Sequence, residues 1–404
     1  MAVATLVALD NALQTVYLPG MNEQFLQESG PLYQSLGEPT AENFQGTEIV
    51  HGIHVGRNPS FGARKEMEDL PEPGHQRYAK IRTGIAYEYS GISYTGQLIK
   101  QARTHPGAFL NVTQMEAPQL ATDLTIQCNR QLFNDPNGYV CIVAGPAVGQ
   151  VVPVEPSSSL WNYLNVGSQF DIGTAANSQA GAVKVTVETF DMAAGTITFV
   201  AGDVVSGVAA GHFVRFYDSY DDAAQRTKEL IGLREIIDDD NVLFGLDPVD
   251  EPHWASYHHD SAGAASEQMF KDAIDHLSNR TGQTPSTAYT TYQVCQDMGT
   301  LMEINKRYVN TTQMDGGHSG TTVSTGAGTI TLQADRFCPD GEAWFPHQPD
   351  LVWNGASNGW EWMQEDGAIL NRIPRKDAYE AQVFRYWQLT TTARFRHGRI
   401  SGIT

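Results

Sequence analysis

The first 56 residues contain no lysine or arginine. That absence excludes a secretory leader, which needs a basic n-region, and a transit peptide, which is arginine-rich. No apolar run approaches the roughly 20 residues that cross a bilayer, so the chain is expected to be soluble and unexported. The four cysteines, Cys128, Cys141, Cys295 and Cys338, are far apart, with none at CxxC spacing. They read as reduced thiols of a protein assembled in the cytosol, not as a disulfide framework. Charged residues are scarce at 18%, and those of positive sign scarcer, with 26 Lys and Arg against 46 Asp and Glu and a net charge of −20. Tight nucleic-acid binding needs clustered cations to neutralise phosphates, so it is disfavoured. A phosphate-cradling glycine loop is also missing.

What is present suits a folded chain. At 404 residues, with 41% hydrophobic content, it has enough apolar material for two or three domains. Its Gly, Thr, Ser, Gln and Asn point to strands, long loops and much surface given to contacts between subunits.

Leu6, Leu9, Leu13, Val16 and Tyr17 recur at helical spacing and are ended by Pro19-Gly20. Such a stripe, with Leu9 and Leu13 at its centre, docks either on its own domain or on a neighbour. Residues 56–82 mix prolines, glycines and both charge signs with few apolar residues, so they predict a long extended loop or hairpin with little to bury. Its charges, Arg57, Arg64, Lys65, Glu66, Glu68, Asp69 and Glu72, are candidates for pairing across a subunit contact. Residues 81–95 read as the ordered return leg. The strongest helix is predicted over 107–135, with Phe109, Val112, Met115, Leu120, Leu124, Cys128 and Leu132 near one face, Pro118 kinking or splitting it, and Asn134 to Gly138 ending it. Strands dominate from about 151 to 218. Val183, Val185 and Val187 alternate with polar residues, a turn follows at 191–195, and 196–200 returns as a hairpin, with 213–217 a further strand. Helices are predicted at 266–277 and 293–306. Tyr379, Ala381, Val383, Trp387 and Leu389 mark a long half-buried strand whose expected partner is 393–400.

Several motifs suggest chemistry and are weak. Residues 355–359, GASNG, fit the nucleophile elbow G-x-S-x-G, and Asp366, Asp377 and His397 follow in hydrolase order. The elbow needs a strand, a helix and intervening α/β units, for which the last fifty residues have no room. His258, His259 and Asp260, with His253, lack a second cluster at metal-ligand spacing. Asp238, Asp239 and Asp240 lack the alternating ligands and central glycine of a calcium loop and read as a charged turn. Three N-x-[ST] sequons, at Asn111, Asn279 and Asn310, carry no meaning without secretion. No catalytic, cofactor or metal residue is therefore assigned, and a binding or structural role is expected.

Taken in order, the segments resemble a known family. Residues 56–64, GRNPSFGAR, with 70–74, LPEPG, resemble the extended E-loop of tailed-phage major capsid proteins of the Hong Kong 97-type fold, and 87–96, YEYSGISYTG, resemble its return leg. Residues 129–134, NRQLFN, resemble the end of the spine helix. Residues 229–235, ELIGLRE, with 245–247 and Trp254, resemble part of the axial domain. Residues 366–374, DGAILNRIP, onward to Thr404 resemble the family's C-terminus. The likeness runs from about His51 to the end and is weakest over 150–226.

The resemblance implies an α+β fold. Its parts are an N-terminal arm (1–50), the E-loop hairpin and strands leading to the P-domain (51–100), the P-domain spine helix (101–136), an A-domain (137–365) with a β-rich insertion at about 151–226, and a C-terminal strand pair of the P-domain sheet (366–404). It implies a head protein that self-assembles, as pentamers and hexamers, into an icosahedral shell around double-stranded DNA. A separate scaffolding protein is expected because the arm begins near Met1, along with a portal protein and decoration proteins, and assembly in the host cytoplasm. In some relatives an E-loop lysine crosslinks neighbouring subunits. Lys65 lies in that loop, but no partner asparagine or catalytic glutamate is identified, so the crosslink is not carried over. An encapsulin-like compartment shell and a serine hydrolase built on Ser357 stand as the alternatives.

Overall fold

Alternation of apolar and polar residues makes β1 (Ile49–Gly56) two-faced, and its inward Ile53 and Val55 are buried. It pairs antiparallel with β2 (Arg77–Thr83) in a hairpin whose register runs from Ile49↔Thr83 to His54↔Tyr78. The computed structural model describes residues 29–37, 48–97, 112–157, 159–305, 322–357, 359–364, 369 and 371–404. The helix expected at Leu6 to Tyr17, with Leu9 and Leu13, lies outside the described residues, as does Asp366.

The hairpin corrects two expectations. Its return leg is β2 alone, because β3 (Ala86–Thr95) belongs to another sheet. Nor are its legs without a core of their own. Ile53, Val55 and Ile81 join Leu243, Phe244 and Trp254 in the main apolar core, and Arg82 N donates to Phe244 O at 3.1 Å. Only the connecting residues 57–76 lie outside the core.

Upstream, α1 (Pro31–Leu36) is held to its own subunit. Leu32 and Tyr33 are buried, Gly30 N donates to Asn129 Oδ1 at 2.7 Å, and Leu32 N donates to Asp335 Oδ2 at 3.2 Å. The long helix α2 spans Val112–Leu132 and is assigned without a break through Pro118, so the expected split does not occur. A proline removes one helical hydrogen bond, and beyond it Leu124, Ile126, Cys128 and Leu132 are buried. The helix ends in a turn where Asp135 Oδ1 accepts from Asn137 N at 2.8 Å and Gly138 N at 3.2 Å. Gly138 has φ 62°, and a Cβ there would fall 2.4 Å from Thr227 Oγ1, so glycine is required.

The β-rich region is one antiparallel six-stranded sheet. Its strands are β4 (Cys141–Ile142), β5 (Val151–Pro153), β6 (Gln169–Gly173), β7 (Ala182–Asp191), β8 (Thr196–Phe199) and β9 (Phe213–Phe216), ordered β4-β9-β6-β7-β8-β5. It takes in Cys141–Ile142, ahead of the expected start at 151. The β7–β8 hairpin is as expected, its turn closed by Asp191 Oδ1 accepting from Ala193 N and Ala194 N at 2.9 and 3.1 Å. Val183 departs from the alternation and is exposed. Lys184 has φ 49°, and Asp171 Oδ1 accepts its N–H at 2.8 Å, which holds a bulge that turns two successive residues outward. A short hairpin, β10 (Tyr220–Asp221) with β11 (Arg226–Thr227), follows.

The remaining elements are α3 (Leu233–Ile236), β12 (Tyr257–Gly263), α4 (Glu267–Thr281), β13 (Thr287–Thr290), α5 (Tyr292–Asn305), β14 (Thr322–Ser324), β15 (Thr329–Ala334), β16 (Ala343–Phe345), β17 (Leu351–Gly355), β18 (Glu361–Trp362), β19 (Asn371–Arg372), β20 (Ala378–Thr391) and β21 (Gly398–Ile403). The two helices fall where the sequence places them, α4 capped by Ser266 Oγ accepting from Met269 N and ended by Gly282 at φ 68°. A mixed sheet, β12-β21-β16-β13-β15-β14, packs Ile330, Leu332 and Ile400 against Phe270, Ile274, Leu277 and Met298 of α4 and α5.

The expected pairing of β20 with 393–400 is wrong. β20 pairs with β3 through ten registered residues, Ala378↔Thr95 to Trp387↔Ala86, and with β17, β18 and β19, whereas β21 lies in the mixed sheet. Between the two strands, Arg394 is fully buried. Its Nε donates to Ile236 O and its Nη1 to Asn241 O, each at 2.9 Å, so the chain is drawn away from β20 into the other sheet.

Candidate functional site: an exposed loop and a set of spent polar groups

Residues 57–76 carry no regular structure between the two hairpin legs. Proline and glycine keep them out of a ladder, and local bonds shape them: Asn58 Nδ2 donates to Gly74 O at 3.1 Å, Arg64 Nε to Asp69 O at 2.9 Å, and Lys65 N to Glu68 Oε2 at 2.8 Å. Phe61 is 96% exposed, Met67 100% and Leu70 84%. Leaving three large apolar side chains in water forgoes roughly 1.5–3 kcal/mol each relative to burial. The sequence reading singled out the charges and passed over these three. Arg57, Arg64, Lys65, Glu66, Glu68, Asp69 and Glu72 are all exposed, and none forms an ion pair with a described residue. Arg77, at the start of β2, does so, with Glu251.

The catalytic-looking residues are not brought together. Ser357 is 1% exposed; its Oγ donates to Gly359 O and accepts from Tyr386 N, both at 3.0 Å. It ties the turn after β17 to β20. His397 has both ring nitrogens engaged elsewhere, Nδ1 accepting from His347 N at 2.9 Å and Nε2 bonding Thr391 Oγ1 at 2.8 Å. Burial holds its pKa down at about 3, so it is neutral.

The His258 group is likewise spent. Its Nε2 lies 3.0 Å from both Ser401 Oγ and Arg399 Nη2, while His259 and Asp260 are exposed on β12. The carboxylates of Asp238, Asp239 and Asp240 approach one another within 4.8 Å, but Arg399 lies 3.7 Å from Asp238 and His258 lies 3.4 Å from Asp239. The Arg399 guanidinium thus already stands beside the Asp238 carboxylate. All four cysteines are free, and burial pushes the thiols of Cys141 and Cys338 well up, away from reactive thiolate.

The buried polar groups serve packing. Arg130 and Glu229 pair at 2.5 Å, joining α2 to the segment that follows the β-rich sheet, and Asn134 Nδ2 donates to the same carboxylate at 2.8 Å. Ile231 N donates to Gln388 Oε1 at 3.0 Å, binding that segment to β20. Glu88, half-buried on β3, is pushed up to about 7 by desolvation against the pull of Arg385.

No family model matches the chain, and no curated protein does. Solved structures do. A chain from the cyanophage A-1(L) capsid asymmetric unit matches with a TM-score of 0.59 at 11% identity, covering 99% of this chain and 100% of its own. The capsid of a native GTA particle matches at 0.51 with 8% identity, covering 100% of both chains. A chain of Mycobacterium phage Bobi matches at 0.50 with 9% identity and 99% of both. The fold is that of a phage capsid subunit. The mixed helix-and-sheet fold implied by the resemblance agrees with these capsid neighbours. Among the described residues, no helix is long and apolar enough to cross a membrane.

Proposed function

We propose that this chain is the major capsid protein of a tailed double-stranded DNA phage, which assembles as pentamers and hexamers into a closed icosahedral shell. The observation that carries the reading is the likeness of the whole chain, end to end, to capsid chains. A subunit fold matched over only one domain would leave room for an unrelated role; a match over 99% of one chain and 100% of the other does not favour one. The exposed loop supports it, because a shell subunit has neighbours on which Phe61, Met67 and Leu70 can be buried. The net charge of −20 suits a wall that contains DNA without gripping it. A scaffolding protein, a portal and decoration proteins belong to this reading as separate chains, and assembly belongs in the host cytoplasm. The role is structural and needs no catalytic residue.

Electron microscopy of the expressed protein tests the class directly, with closed shells expected. Replacing residues 58–75 by a short Gly-Ser turn should give a soluble, folded subunit that forms no shells, since the hairpin legs keep their own core. Trypsin should cut at Arg64 or Lys65 in free subunits and be excluded in particles. Normal assembly of the shortened variant would remove the loop from the mechanism. Shells that carry an enzyme and no nuclease-resistant DNA would favour a compartment shell instead.

A further inference from the structure

The positive charge of this acidic chain is distributed unevenly. Of 26 Lys and Arg in 404 residues, Arg372, Arg375 and Lys376 fall within five positions, on the turn joining β19 to β20. The turn is built by Ile373 N donating to Ala378 O at 2.9 Å and Lys376 N to Ile373 O at 3.2 Å, with Arg375 in the left-handed region at φ 63°. All three side chains are exposed, and none forms an ion pair with a described residue. The nearest acid in sequence, Asp377, turns back on the end of β3, where its Oδ1 lies 2.2 Å from the position of a Cβ on Gly96. The two arginines of β2 are different: Arg77 pairs with Glu251, and Arg82 lies 3.8 Å from Glu48, both within the subunit, while Lys80 is a single exposed cation.

The loop between β1 and β2 has the opposite imbalance. Its first half carries Arg57, Arg64 and Lys65, while residues 66–72 carry Glu66, Glu68, Asp69 and Glu72 with no cation. Among the described residues, only the Glu68 carboxylate of these four has a bond, accepting from the backbone N–H of Lys65. These four acids sit around Met67 and Leu70, two of the side chains most exposed to water. Small counterions would satisfy the acids but not the apolar pair, so the fitting occupant is a protein surface with positive charge.

We propose that residues 66–72 of one subunit pair with the Arg372, Arg375 and Lys376 turn of a neighbouring copy. The proposal rests on the shell reading above and names the contact that selects the neighbour. Two copies each at −20 repel at long range, and an exposed positive turn against an exposed acidic segment gives them one place to meet. Exposed pairs of this kind set encounter rate and register more than raw affinity, which suits a subunit that must reject wrong neighbours while the shell grows. Within one subunit the two features cannot relieve each other through the sheet, since β3 alone spans about 30 Å from the hairpin end to the basic turn, and no ion pair joins them among the described residues.

The test is a charge swap in the full-length protein, read as closed particles by sedimentation and electron microscopy. Arg372→Glu/Arg375→Glu/Lys376→Glu should cut closed particles at least about tenfold, and so should Glu66→Lys/Glu68→Lys/Asp69→Lys/Glu72→Lys. The chain carrying all seven changes should recover them. Both tips are exposed, so melting temperatures should match the wild type in every variant. As a second measurement, Asp69→Cys/Arg375→Cys should form an intersubunit disulfide ladder in wild-type-like particles. Full assembly of either reversed set, absence of recovery in the combined chain, or a monomer band from the cysteine pair overturns the pairing while the shell reading stands. Unchanged assembly with lost DNA retention in the 372/375/376 variant assigns the turn to nucleic acid and also overturns it. Failure of the wild type to form closed particles removes the shell reading and the pairing together.

Discussion

Arg385 has no exposed surface, yet its guanidinium lies 3.6 Å over the Trp387 ring and its Nη1 donates to Tyr33 Oη and Cys128 Sγ, each at 3.2 Å. A flat, weakly hydrated cation is suited to stacking between indoles where a compact ammonium is not. His397 shows the complementary solution, a neutral ring whose proton position is fixed by its partners. Nδ1 accepts from His347 N, so Nε2 carries the hydrogen donated to Thr391 Oγ1. A second proton on Nδ1 would set one N–H against another. The pKa falls from 6.5 in the unfolded chain to about 3 in the fold, so below pH 6.5 the unfolded state binds the extra proton. Its contribution is complete above pH 6.5 and is lost progressively as the pH falls toward 3, at up to about 1.4 kcal/mol per pH unit. His397→Gln should therefore lower the melting temperature at pH 7.5 and flatten its decline between pH 6.5 and 4. Parallel pH profiles for the two proteins would show that His397 does not titrate on unfolding. In sequence, this histidine and Ser357 had the order of a hydrolase; only their partners in space reveal a packing histidine and a turn clasp.

Elements with a strong local signal were legible before the fold was seen. Ser266 caps α4 at the expected start, although the helix runs to Thr281, past the expected end at 277; Asp191 to Gly195 turns β7 into β8, and Leu124, Cys128 and Leu132 of α2 are buried as expected. Leu124→Asp would place an unpaired carboxylate at that face, costing several kcal/mol on the order of 3–5, and the protein should be insoluble on expression. Soluble Leu124→Asp particles would show that this face is not what holds the helix. Elements whose partners are remote were misread. The run 81–95 looks like one strand, but Gly84 and the switch of partners divide it into β2 and β3. The partner of β20 was sought in the nearest strand-like segment, because register between strands from opposite ends of a chain leaves no mark in local alternation. The loop 57–76 was recognised by its composition, whereas its apolar tip and the 372–376 turn became visible only as exposure without partners.

Across the whole molecule, the described residues form two apolar cores, and β13 and β16 contribute side chains to both. The N-terminal Leu32 meets Asp335 across 303 positions, and Arg385 reaches back to Cys128 across 257. The mixed fold class was readable because helical and strand-like patterns alternate along the chain; the tie between the two ends was not, since nothing in either segment names the other. That tie turns the C-terminus into a clock. At roughly 5–20 residues per second, the interval between synthesis of Cys128 and of Arg385 is about 13–50 s. Throughout that time β3 has no long partner strand and α2 lacks the hydrogen bond that Arg385 gives to Cys128. A chain that stops short of β20 thus has no completed central sheet to offer a neighbour. Ribosome-arrested chains ending at Lys376 should be cut by trypsin at Arg130, while released full-length chains resist. Protection of Arg130 in the arrested chains would show that the sheet is not the timer. Truncated translation products that end before β20 would then be excluded from a growing shell without any separate proofreading factor, because β20 is the strand that completes the sheet of β3.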